Sequence, residues 1–126
     1  LSLALGAYIA GFDLLYATQD VEFDRREGLH SMPANLGIRR ALRLSAGLHA
    51  ITFISLLSLY WVFALSPFYL GFTAIIGILL IVEHKLIKPD DLSRINIAFF
   101  HVNSVISVLL FAAIMTEELV RRMSLP

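Results

Sequence analysis

The uncharged run from Leu44 to Val82 constrains the fold of this chain more than any other feature. It contains no Asp, Glu, Lys or Arg, and it is long enough for two membrane-spanning helices of about 20 residues each. Ser66 and Pro67 divide the run, and proline disfavours helical geometry in the residue before it. The run therefore predicts a helical hairpin embedded in a lipid bilayer.

Two further apolar stretches flank this hairpin. The segment from Ile95 to Thr116 is uncharged, and the segment from Leu1 to about Gln19 is interrupted only by Asp13. The whole chain is 58% hydrophobic and only 16% charged, well beyond the apolar share of an ordinary soluble domain. We predict an all-α, multi-span transmembrane helix bundle with four membrane helices, at about residues 1–20, 40–64, 67–86 and 93–117.

The distribution of basic residues predicts the orientation of the bundle. Five Lys or Arg residues lie between Gln19 and Arg43, three lie between Lys85 and Arg94, and none lies at the Ser66-Pro67 turn. Cytoplasmic loops of membrane proteins are enriched in Lys and Arg, so both basic loops are expected to face the cytoplasm. The net charge is zero, which gives no overall field for binding nucleic acid.

Polar side chains recur at helical spacing within two of the predicted spans, and each set should point into the bundle. Two explanations remain open, hydrogen bonding between helices or the lining of a cavity. For His49 we favour packing, because the sequence shows no partner for it. The residues concerned are Ser45, His49, Thr52 and Ser55 in the second helix, and Asn96, Asn103 and Ser107 in the fourth.

The segment from Gly11 to Pro33 concentrates acidic residues in an otherwise apolar chain. On a continuous α-helix, Asp13, Asp20 and Asp24 would fall within one narrow arc. Carboxylates so placed repel one another unless a cation lies among them. Mg²⁺ typically takes one or two carboxylates together with waters and substrate phosphates. The spacing therefore predicts a metal held for a phosphate-bearing ligand.

Arg25 and Arg26 directly follow the last of these aspartates. Arginine is the usual partner of phosphate oxygens, which makes both residues candidates for binding that ligand. Arginine is also common in cytoplasmic loops for reasons of orientation, so the two residues alone do not decide between these roles.

Two stretches of the chain resemble one family of membrane enzymes. FDLLYATQDVEFDRREGLHSMP resembles the second aspartate-rich motif of the UbiA-type intramembrane aromatic prenyltransferases, and most of all that of their 4-hydroxybenzoate polyprenyltransferase group. HKLIKPDDLSRINIAFFHVNSVIS is similar to the loop and final helix of that group. The matching positions are Asp13, Tyr16, Ala17, Asp20, Asp24, Gly28 and Ser31 in the first stretch, and Lys85, Leu86, Ala98, Phe99 and Asn103 in the second.

The resemblance implies a nine-span enzyme of quinone (ubiquinone or menaquinone) biosynthesis in the membrane, with the bacterial inner membrane as the expected location. Such an enzyme transfers a polyprenyl group from polyprenyl diphosphate to an aromatic acid acceptor such as 4-hydroxybenzoate, with Mg²⁺ as cofactor. The implied roles are metal ligands for Asp20 and Asp24, diphosphate binding for Arg26 and Arg25, a border of the reacting allyl group for Tyr16, and orientation within the cavity for Asp13.

The chain departs from the family pattern because the first aspartate motif and the helices that carry it are absent. Residues 1–126 are therefore expected to be the C-terminal part of a single transmembrane domain, inactive without its N-terminal half. Two alternatives remain. An ion or proton transporter fragment needs ionisable groups at membrane depth, where only Asp13 and His49 are expected. A non-catalytic membrane anchor would tolerate substitution of Asp20 and Asp24.

Overall fold

The described part of the chain is 84% helical. The computed structural model describes residues 1–124. The side chain of Phe99, one of the positions that match the family pattern, lies outside the described side chains. The all-α prediction is confirmed. The elements are α1 (Ser2–Tyr16), a 3-10 turn (Ala17–Asp20), α2 (Val21–Arg26), α3 (Met32–Leu36), α4 (Ile38–Val62), α5 (Pro67–Leu86), a π-helical turn (Ile97–Val102) and α6 (Asn103–Met123).

Three helices in the described part are long and apolar enough to cross a membrane: Ile38–Val62, Pro67–Leu86 and Phe100–Met123. They correspond to the last three predicted spans. The first predicted span contains α1, which has 15 residues and a length of about 22 Å. The α-helix gives way to the 3-10 turn at Ala17, before the end predicted for this span.

The predicted hairpin between α4 and α5 is confirmed, with its turn between Val62 and Pro67. Pro67 is the first residue of α5, a position where the missing backbone N–H has no helical partner to lose. The turn is bound to α6 by Glu117, whose Oε2 accepts a hydrogen bond from the amide of Ser66 at 2.9 Å. The hydroxyl of Ser66 also donates to Oε1 of the same carboxylate.

Two apolar clusters hold the helices together. One lies in the middle of the bundle and draws on α1, α4, α5, the π-helical turn and α6. The other joins the end of α1 to the start of α4 and to the residues after α5. It therefore fixes the place where residues 17–27, the aspartate segment, leave the bundle. The first consists of Ala4, Leu56, Ile76, Leu80, Val102 and Ile106, and the second of Leu15, Leu42, Ile87, Ile95 and Ala98.

The predicted polar face of α4 points into the bundle, where it contacts α1. Ser45, His49 and Thr52 are all buried. The Ser45 hydroxyl donates to the carbonyl oxygen of Gly11 at 2.6 Å, and that of Thr52 lies 3.3 Å from the carbonyl oxygen of Ala4. Hydrogen bonding between helices therefore accounts for Ser45, whereas the hydroxyl of Thr52 has a nearer acceptor in its own helix, the carbonyl oxygen of Leu48 at 3.1 Å.

The corresponding prediction for the last helix is correct only at Asn103, which accepts a hydrogen bond from the Tyr8 hydroxyl at 2.5 Å. Asn96 and Ser107 are exposed. The prediction assumed a regular α-helix, but the π-helical turn at Ile97–Val102 changes the number of residues per turn between Asn96 and Asn103. The two asparagines consequently point in different directions.

Candidate functional site

The α-helix does not continue through the three aspartates, so the single arc expected for them is wrong. α1 ends at Tyr16, and Ala17–Asp20 form a 3-10 turn that rotates by about 120° per residue rather than about 100°. Asp20 then takes φ −94° and ψ 5° and is the N-cap residue of α2. The extra rotation widens the arc that the three aspartates span, whereas Asp20 and Asp24 stay one helical turn apart.

The two aspartates of this turn differ in their exposure. The Asp24 residue is 9% exposed, whereas Asp20 and Asp13 are exposed. Among the described residues, no group of three or more His, Cys, Asp or Glu side chains is placed to hold a metal ion. Two carboxylates one turn apart nevertheless fit the donor set of Mg²⁺, which keeps several waters and takes its remaining ligands from substrate phosphates.

The turn after Asp24 is fixed by a glycine and a serine of the same motif. Gly28 has φ +67°, a left-handed conformation that costs glycine little. It allows the amide of Leu29 to donate back to the carbonyl oxygen of Asp24 at 2.7 Å, as in a Schellman helix end. The Ser31 hydroxyl then accepts from the amide of Ala34 at 3.3 Å and caps α3. Gly28 and Ser31 thus define how the chain leaves the aspartate segment.

The two adjacent arginines have different surroundings. Nε of Arg25 donates to the carbonyl oxygen of Ala34 at 3.1 Å, which connects α2 to α3. Arg26 makes an ion pair with Glu22 at 3.8 Å, and these two side chains are 79% and 86% exposed. An ion pair this exposed contributes little stability. Arg26 can therefore turn toward a ligand without disturbing the fold.

Tyr16 lies where α1 ends, at the second apolar cluster. It is half-buried and packs against that cluster together with Ile38, Leu86 and Leu92. Its neighbour Leu15 is completely buried. The structure therefore places Tyr16 at the same end of the bundle as the aspartate segment.

The loop after α5 meets this end of the bundle through Ile87 and Ile95 of the second cluster. Between them, Asp91 accepts hydrogen bonds from the hydroxyl and the amide of Ser93 at 2.6 Å and 3.0 Å. These bonds favour the ionised form and hold the pKa of Asp91 below its ordinary value, with smaller contributions from Arg94 and Lys88. The loop thus presents a fixed negative charge among basic residues.

The sequence analysis missed a buried cluster of ionisable side chains beneath α1. His49 is not isolated, because its Nδ1 lies 3.0 Å from Nε2 of His84 and 3.6 Å from Oε2 of Glu83. Glu83 is completely buried, and the sequence analysis assigned no role to it. The sequence did contain a signal for the burial of Glu83, because Glu83 continues the three- and four-residue spacing of the buried face of α5. The residues of this face are Tyr69, Thr73, Ile76, Leu80 and Glu83.

The fold and the aspartate segment define an integral membrane protein of the all-α class. The model of the UbiA prenyltransferase family matches residues 1–105, so the chain belongs to this family. Members of the family transfer a prenyl group to an aromatic acceptor, which favours a prenyltransferase over the transporter and anchor alternatives. Comparisons with curated proteins and with solved structures give no match.

Proposed function

We propose that this chain is the C-terminal half of a Mg²⁺-dependent enzyme that transfers a polyprenyl group from polyprenyl diphosphate to an aromatic acid such as 4-hydroxybenzoate, in quinone biosynthesis. The observation that carries the proposal is the pair formed by exposed Asp20 and recessed Asp24, one turn apart where α1 gives way to α2. Family membership supplies the reaction class.

Asp20 and Asp24 would hold the metal through their carboxylate oxygens. Mg²⁺, when bound, neutralises the negative charge of the diphosphate as it leaves. Two carboxylates provide only part of a coordination shell, so we assign the remaining protein ligands to the N-terminal half of the enzyme. The metal site would then form only when both halves come together around the substrate.

Arg26 would contact the diphosphate directly. A guanidinium group donates charge-assisted hydrogen bonds to phosphate oxygens, and the weak ion pair with Glu22 leaves Arg26 able to do so. Arg25 would make a smaller contribution, because its Nε already donates to Ala34. The other guanidinium nitrogens of Arg25 could still add positive charge near the leaving group.

The reaction breaks the bond between the allylic carbon and the diphosphate oxygen, with the electron pair leaving on the diphosphate. The ring carbon of the acceptor then forms the new bond and loses its proton. The aromatic ring of Tyr16 would border the allyl group and favour positive charge there, and Asp13 would orient groups at the mouth of the cavity. Surrounding apolar helices would exclude water from the cation.

The distribution of basic residues supports a cytoplasmic position for the site. Both basic loops lie at the end of the bundle where Leu15, Ile87 and Ile95 meet, and the uncharged turn at Ser66 lies at the opposite end. We therefore propose a protein of the bacterial inner membrane with its site at the cytoplasmic face. The apolar helices lie in the bilayer and the substrate diphosphate at its edge.

The proposal is tested by an assay of the complete enzyme in membranes with labelled polyprenyl diphosphate. The acceptors to compare are 4-hydroxybenzoate, 3-hydroxybenzoate and benzoate, since an electron-rich phenol ring should react and unsubstituted benzoate should not. We expect labelled product from 4-hydroxybenzoate that requires Mg²⁺. Product formation that is unchanged after chelation of divalent cations would contradict the metal role, and no transfer to any hydroxybenzoate would contradict the acceptor class.

A further inference from the structure

The buried cluster formed by His49, Glu83 and His84 lies inside the bundle, against α1 at Gly11. His49 is 2% exposed and Glu83 is 0% exposed. Within the part of the chain that the structure describes, Nε2 of His49 and both carboxyl oxygens of Glu83 have no hydrogen-bond partner. Buried polar groups are normally paired, and ionisable groups at membrane depth are rare unless they serve a function. This cluster therefore requires an explanation.

Helix α1 rests directly on the imidazole of His49. A Cβ atom at Gly11 would lie 2.6 Å from Cδ2 and 2.8 Å from Nε2 of His49, so no side chain fits at this position while the ring keeps its place. The ring of Tyr8, one turn earlier, stacks on His49 with a centroid distance of 5.6 Å. His84 bonds to the other side of the same imidazole.

We propose that His49, held by His84 and Glu83, is a positioning site for α1 and through it for the aspartate segment, an inference that rests on the proposed function. From Gly11 the helix continues for about one and a half turns to Tyr16 and then enters the 3-10 turn that ends at Asp20. Any movement of α1 on His49 is therefore carried to Asp13, Tyr16 and Asp20 together.

The experiment introduces a methyl group at the contact in the complete enzyme. Gly11→Ala should displace α1 from His49, lower kcat by about 10- to 100-fold and raise the Mg²⁺ concentration that gives half the maximal rate. The matched control is Gly6→Ala in the same helix, where a Cβ would meet nothing within 4 Å, and neither quantity should change. In Gly11→Ala/His49→Ala, removal of the imidazole relieves the two closest contacts and leaves the one with Cβ of Leu48 at 3.1 Å, so part of the lost rate should return.

A second measurement does not depend on catalysis. The 126 residues contain no cysteine, so spin labels can be attached at exposed Gln19 and Ser58 after substitution to Cys, with any cysteines elsewhere in the complete protein replaced. The distance between the labels should change in Gly11→Ala, stay the same in Gly6→Ala, and return toward the original value in the double variant. If no variant transfers prenyl groups, the proposed function fails while this distance still decides the positioning.

Identical label distances in Gly11→Ala and Gly6→Ala would overturn the proposal. If Gly11→Ala does not accumulate in the membrane, Tyr8→Leu provides the second test, because it removes the ring stacked on His49 without adding volume. Tyr8→Phe is its control, since both changes remove the hydrogen bond to Asn103 but only Tyr8→Leu removes the ring. The label distance should again change in Tyr8→Leu. An unchanged distance in Tyr8→Leu would overturn the proposal for that contact as well.

Discussion

Nε of Arg25 lies 3.1 Å from the carbonyl oxygen of Ala34, and this bond connects the two short helices that follow the aspartates. Arg26, the next residue, makes an ion pair with Glu22 in which both side chains are largely exposed. Two identical side chains in succession thus make different contacts, since Arg25 connects two helices and Arg26 pairs with a side chain of its own helix. The difference makes their substitutions a matched pair.

Arg26→Ala should raise the KM for polyprenyl diphosphate more than the KM for the aromatic acceptor. A hydrogen bond to a charged group is worth about 1.5–3 kcal/mol, so the increase should be about 10- to 100-fold. Arg25→Ala should change this KM less and lower the thermal stability instead, because α2 and α3 lose a connection. Equal effects of the two substitutions on KM would mean that both arginines only supply loop charge.

Gly28→Ala should destabilise the chain by about 1–2 kcal/mol, because alanine is strained at φ +67°. A Cβ at this position would meet nothing within 4 Å, so the backbone conformation is the only cause. The control is Gly6→Ala in the regular helix α1, which should stabilise by about 0.5–1 kcal/mol. Unfolding free energies measured in detergent micelles test both values, and a neutral Gly28→Ala would contradict the described turn.

Glu117→Ala should destabilise the bundle by about 1.5–3 kcal/mol, since the carboxylate accepts two hydrogen bonds from Ser66 at the far turn. Glu118→Ala is the control. Its carboxylate pairs with Arg121 and Arg122, which are 70% and 72% exposed, so the loss should be below about 1 kcal/mol. If the two variants unfold with the same free energy, the connection between the turn and α6 contributes nothing.

Hydrophobic runs and one proline were enough to predict the helical hairpin, because a bilayer sets the length of each span. The inward face of α4 followed from the spacing of Ser45, His49 and Thr52. Local geometry was harder, since no signal in the sequence marked the 3-10 turn at Ala17 or the π-helical turn at Ile97. Both turns changed the direction of polar residues that a regular α-helix would have aligned.

The partners of His49 could not be predicted from local patterns. His84 lies 35 positions further along the chain, and its distance from His49 depends on how α4 and α5 pack. Glu83 lies within the predicted span at about residues 67–86, which matches α5, but the spacing along one helix did not show that it would face His49. Asp13 has an exposed side chain on α1, and its depth in the bilayer stays a prediction.

Separate expression tests the proposal that this chain is one half of a site. The chain alone should give no prenylated hydroxybenzoate, because Asp20 and Asp24 provide only part of a metal shell. Co-expression with the N-terminal helices of a related prenyltransferase should restore product, since helices in membranes associate by packing and hydrogen bonds. Product from this chain alone would show that the site is already complete. A third strain with the N-terminal helices alone should be inactive.

The most direct test of the central claim is the Mg²⁺ dependence of prenyl transfer by the complete enzyme with Asp20→Asn and with Asp24→Asn. Each change removes a carboxylate and nearly preserves the shape of the side chain, so protein levels should stay the same. We expect the rate at limiting Mg²⁺ to fall by about 100- to 1000-fold, the cost of losing one stabiliser of developing charge. The control Glu27→Gln removes an exposed carboxylate from the same segment and should leave the rate unchanged. Rates close to those of the unmodified enzyme in both Asn variants, at limiting Mg²⁺, would contradict the metal site.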